Sequence, residues 1–191
     1  ARRRMTDESL LGRVATKLSE PPSYAEPGQK GSILTVAAAS FGSKPTEDDV
    51  TQPTGFDPEA AALFEAVVES AYLVANADGH FDDTERAAFE QVVVTACQGA
   101  VMEGQVHALI EDLSDLMQED GIDKRVEMVA KSISKVDHQQ EVLRVASLLA
   151  QVSGGVSDEE RELLGKLQKA FGLDESALTR ALAEAASTVG K

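Results

Sequence analysis

The chain has 191 residues, with 18 basic against 33 acidic side chains and a formal charge of −15. That excess repels phosphate backbones and anionic lipid headgroups, which argues against a nucleic-acid partner and leaves a cation or a basic protein as the complementary choice. Aromatic residues make up 4% and Trp is absent, so the abundant Ala, Leu and Val predict helices packed through small side chains rather than a β-sandwich.

Residues 1–55 hold five of the six prolines among Gly, Ser, Thr and charges, and most of this segment reads as a flexible linker. Within it, residues 6–18 fit one short helix, with Leu10, Leu11, Val14 and Leu18 on one face and Pro21-Pro22 as its stop. Residues 33–41 are the other exception. Here Ile33, Leu34, Val36 and Phe41 form an apolar, β-capable island in polar surroundings, which packs on its own domain or docks a partner. No stretch approaches the roughly twenty apolar residues of a membrane span, and the island is too short and too far in for a signal sequence. A lone Cys97 cannot form an internal disulfide and reads as a small core residue. The expectation is a soluble, cytoplasmic protein with no direct membrane insertion.

From Asp57 the pattern becomes helical, with Asp57 as N-cap and Pro58 at the first helical position. Apolar spacing predicts seven helices over residues 56–191, one compact all-α domain. The first carries Leu63, Val67, Ala71 and Val74; the second starts at Asp82 and closes at Gly99. The third carries Val106, Leu109, Ile110 and Leu113, and Gly121 separates it from a fourth with Val126 and Val129. Asp137 or a neighbour caps the fifth, Gly172 ends the sixth, and Asp174 opens the seventh.

One pattern occurs twice in this region, 75 positions apart, each time where one helix should end and another begin. Residues 71–86 read AYLVANADGHFDDTER and residues 146–161 read ASLLAQVSGGVSDEER, seven identities in sixteen, where unrelated helical sequence would give roughly one. The domain is therefore expected to contain two related helix-turn-helix units.

The first copy crowds Asp78, His80, Asp82, Asp83 and Glu85 into eight residues, an oxygen-rich set able to surround a hard divalent cation such as Ca, Mg, Mn or Zn. Asp78, Asp82 and Glu85 are the leading candidates, with Asp83 and His80 behind them. Part of the pattern has a structural explanation, because Asp82-x-x-Glu85 and Ser157-x-x-Glu160 both fit a capping box. Asp78 is different. A carboxylate at a helix C-terminus opposes the dipole by roughly half a kcal/mol, and the second copy has Ser153 there. It is either a turn-stabilising residue or part of a site. The spacing is not that of an EF-hand, so an ion would be held weakly, through water. His107 and His138 stand without a spaced partner. No G-x-S-x-G, Cys-x-x-Cys, glycine-rich phosphate loop or His-Glu-x-x-His is present, and no catalytic residues are expected.

The Ala77-Asp78-Gly79 turn followed by Glu85, with its echo from Gly154 to Glu160, resembles the tellurite-resistance TerB-like family over roughly residues 58–187. The resemblance implies a compact all-α domain with acidic clusters proposed to bind metal, acting in bacterial stress-response or envelope-associated assemblies. J-domain co-chaperones are among the proteins that carry a related module. Asp78, Gly79 and Glu85 match the family's turn aspartate, glycine and following glutamate, whereas Ser153 departs from it in the second turn.

Three functional readings follow. The first is a non-enzymatic interaction or scaffold protein whose acidic face meets a cation or basic partner. The second is a metal-sensing or sequestering protein. In the third the chain is cargo or accessory subunit of a larger assembly, docked through its N-terminal segment. Leu34-Thr35-Val36 looks like the core of peptides that target cargo into encapsulin shells, although Ala37-Ala38-Ala39 replaces their usual Gly-Ser-Leu.

Overall fold

The computed structural model describes residues 8–25, 27–43, 57–153 and 155–189. Among them are nine α-helices, one short 3-10 turn and no strand. The helices are α1 (Glu8–Ser19), α2 (Ile33–Gly42), α3 (Pro58–Ala75), α4 (Asp83–Ala96), α5 (Glu103–Asp120), α6 (Ile122–Ser132), α7 (Val136–Ala150), α8 (Asp158–Phe171) and α9 (Glu175–Val189). In the N-terminal segment α1 falls on the short helix expected over residues 6–18, and α2 is a helix the sequence pattern does not announce.

Local signals account for most boundaries. Asp57 Oδ1 accepts the backbone N–H of Glu59 and Ala60 at the start of α3, with Pro58 in the first turn where its missing N–H costs nothing. Gly172 stands in the left-handed conformation after α8, and Asp174 Oδ1 accepts the Ser176 N–H at the start of α9. Asp137 does not cap α7. That helix starts one residue earlier at Val136, and its first-turn carboxylate faces the dipole instead.

Two helices form the centre. Ala66 to Val74 of α3 are all buried, as are Glu141 to Ala150 of α7, and the two helices pack on each other. A helix buried all round has no solvent face for polar residues, so each charge it carries must find a partner inside. Glu69 on α3 is met by Arg125 on α6, with Nε–Oε2 at 2.7 Å and Nη2–Oε1 at 2.8 Å, and Arg125 also reaches Asp120 at 3.1 Å. Arg144 on α7 donates from Nε to both oxygens of Glu184 on α9, at 2.9 and 3.0 Å.

α7 also holds the N-terminal helices. Glu141 Oε1 accepts the Ile33 N–H at 2.9 Å, placing a carboxylate on the positive end of α2. One turn on, Arg144 donates to the carbonyls of Lys17 and Glu20, at 3.0 and 3.2 Å, at the negative end of α1. Ser32 completes the junction by donating to the Leu18 carbonyl.

The expected boundary at residue 55 lies outside the described residues, and the buried core draws on both sides of it. Leu10, Val14, Leu18, Ile33, Leu34 and Phe41 belong to the same buried cluster as Phe64, Val68 and Leu148. The β-capable island is the helix α2, because Ala37-Ala38-Ala39 favours helix and α2 buries one face against α3. Phe41 stacks on Phe64 with centroids 4.6 Å apart. Gly42 is required there, since a Cβ would overlap the Ala100 carbonyl oxygen.

Candidate functional site: the acidic corner

The turn between α3 and α4 places the predicted ligands individually. Gly79 has φ +75°, a conformation that costs glycine nothing, and it turns the chain out of α3. Asp78, half-buried, accepts the His80 backbone N–H at 2.9 Å through Oδ1, an Asx turn that gives this carboxylate a local structural job. Asp82 accepts the Glu85 N–H at 2.8 Å and is the N-cap of α4. His80, Asp82 and Asp83 are exposed and Glu85 is half-buried. Among the described residues no three or more His, Cys, Asp or Glu side chains stand close enough to hold a metal ion. The five predicted ligands are thus neighbours in sequence without being a coordination sphere. Phe81 anchors the corner, packing edge-on to Tyr72 of α3 and Phe89 of α4 with centroids 5.6 and 6.0 Å away.

The corner between α7 and α8 supplies a residue assigned only a capping role in the sequence. Ser157 Oγ accepts the Glu160 N–H at 3.1 Å, and Glu160 Oε1 accepts the Ser157 N–H at 3.0 Å, a complete capping box. Glu160 is only 3% exposed, and its Oε2 is buried without a hydrogen-bond donor among the described residues. Burial pushes its carboxyl up to about 7 against the lowering effect of Ser157, and the charges of Asp78 and Glu85 push the same way. The two corners therefore share one negative field. The available signal was that Glu85 and Glu160 hold equivalent positions in the repeated pattern.

A second acidic surface runs along α5, which carries six carboxylates and no Lys or Arg. It borders a groove of about 400 Å³ between α3, α5 and α6, floored by Leu109, Leu113, Leu116 and Val129 and rimmed by Glu65 and Asp112. Exposed Met128 lies at its edge. His107 of α5 is not isolated: Nδ1 lies 3.1 Å from Glu90 of α4 and Nε2 lies 3.4 Å from Glu111. Its nitrogens face opposite carboxylates, an interhelix tie rather than a convergent ligand set.

Of the predicted docking residues, Ile33, Leu34 and Phe41 are buried in the core and Val36 is 58% exposed. Cys97 is buried beside the end of α4, and burial pushes its thiol up to about 12. No helix among the described residues is long and apolar enough to cross a membrane.

These features define an all-helical module that displays acidic corners and an acidic groove on a core centred on two buried helices. Residues 64–183, the greater part of the chain, match the family described as tellurite resistance protein TerB, and the chain belongs to that family. No curated protein and no solved structure matches it.

Proposed function

We propose that this TerB-family chain is a non-enzymatic interaction protein whose α3–α5–α6 groove receives a basic, amphipathic segment of a protein partner. The observation that carries this reading is the pairing of an apolar floor with a helix whose charges are all negative, on a chain of net charge −15. Such a groove takes apolar anchors at helical spacing while its rim selects Lys and Arg. The bacterial stress-response setting implied by the family resemblance fits a scaffold of this kind.

A fluorescein-labelled amphipathic helix built from Leu and Lys tests it. Anisotropy should report binding that weakens with added salt and falls roughly tenfold in Asp112→Lys combined with Asp115→Lys. Binding that ignores both salt and the double substitution defeats the reading.

A second reading, cation sensing, is favoured by the buried, donor-free Glu160 Oε2 in the field of Asp78 and Glu85. The spread of the ligands suits a hydrated ion more than a directly coordinated one. Calorimetry with calcium, magnesium, manganese and zinc should then give heat that Asp78→Ala with Asp82→Ala, and separately Glu160→Gln, removes; silence from the wild type ends it. The cargo reading requires α2 to leave the core and uncover Ile33, Leu34 and Phe41. We also read α3–α4 and α7–α8 as copies of one helix-turn-helix unit, supported by Asp82 and Ser157 capping at equivalent positions.

A further inference from the structure

A cavity of about 600 Å³ opens between the end of α1, the α1–α2 loop, α7 and α9. Its volume is that of a small-molecule site. Pro21, Ala177, Ala181 and the Tyr24 ring give it apolar walls, while Lys17, Arg144 and Arg180 outnumber Glu184 among its charges. Lys17 pairs with Glu20 at 3.4 Å and Arg144 with Glu184 at 2.9 Å, which leaves Arg180 as the cation to account for.

The cations are not equivalent. Arg144 is 2% exposed and fully engaged by Glu184 and two backbone carbonyls, so it neutralises Glu184 and fixes the walls. Arg180 lies over the Tyr24 ring, 5.5 Å from its centroid, and among the described residues no carboxylate is within ion-pair distance of it. With no carboxylate of the chain paired to it among the described residues, Arg180 has N–H donors left for a ligand carboxylate. Tyr24 is 38% exposed, and the partial burial of its hydroxyl pushes it up to about 12, with Glu141 and Glu184 adding to the effect.

We propose that this cavity binds a small organic carboxylate with an apolar body, the acid group on Arg180 and the body between the Tyr24 ring and α9. The site is distinct from the acidic groove and from the twin corners. Lys17, Pro21 and Tyr24 precede, and Glu184 follows, the region that matches the family, so the cavity arises where the N-terminal segment meets the family domain.

Dansylglycine and dansylamide, which differ in the carboxylate, are suitable probes for the full chain. Dansylglycine emission should rise and saturate, with dansylamide binding roughly tenfold weaker and Arg180→Ala costing a similar factor. Ala183→Trp, on an exposed lining position, should block the probe while leaving the far-UV spectrum helical. The absence of saturable emission, equal binding of the two dansyl compounds, or indifference to Arg180→Ala and Ala183→Trp would each overturn the proposal. The comparison between probes on the wild type needs no variant to fold.

Discussion

Glu160 shows how one side chain can serve a helix and oppose the fold at once. Its Oε1 completes a capping box, yet burial keeps the carboxyl near pH 7 instead of the ordinary 4.5. Between those values the folded chain keeps a proton that the unfolded chain has lost, so stability rises as pH falls from about 8 to 5 and is lost again as pH climbs through 7. The difference is on the order of 3 kcal/mol. Glutamine can hold the same cap without charge, so thermal melts of Glu160→Gln should be more stable than wild type at about pH 8 and nearly equal at about pH 5. A wild-type melting temperature independent of pH, or a variant that loses stability at both, would contradict this account. Arg144 makes the opposite case. Arg144→Met leaves Glu184 and two carbonyls unpaired and should cost about 3–5 kcal/mol in urea titration.

Among the elements, α2 departs furthest from its sequence. Its apolar residues are consistent with a strand, and the choice is made by Ala37-Ala38-Ala39 together with long-range contacts: Glu141 lies 108 positions from the backbone N–H it accepts. The caps at Asp57, Asp82, Ser157 and Gly172 were legible because each joins residues within a single turn. The acidic corner was legible only in part. Its residues and the turn-stabilising option for Asp78 are readable because the bond from His80 spans two positions, whereas the burial of Glu160 depends on how the corners pack. The His107 tie was hidden for the same reason, since Glu90 belongs to another helix. At this scale the sharp test is Gly42→Ala, which drives a methyl into the Ala100 carbonyl oxygen. Calorimetric unfolding should register a loss of about 1–3 kcal/mol; an unchanged melting temperature would mean that α2 does not seat there.

For the whole molecule, the family match at residues 64–183 and the folding unit do not coincide. A chain beginning at residue 57 would keep Glu141 and Arg144 but lose the helix ends they hold, uncovering the faces of α3 and α7 on which α1 and α2 pack. Differential scanning calorimetry of that fragment should lack the single cooperative transition of the full chain, and its exposed apolar face should bind anilinonaphthalene sulfonate. A sharp transition near the wild-type temperature would show that the N-terminal helices are dispensable. The grip of α7 also sets an order of events during synthesis. The first two helices leave the ribosome about a hundred residues before their clamp is made, which at common elongation speeds leaves them waiting roughly 5–20 seconds. For that interval Ile33, Leu34 and Phe41, buried in the finished fold, have no permanent cover.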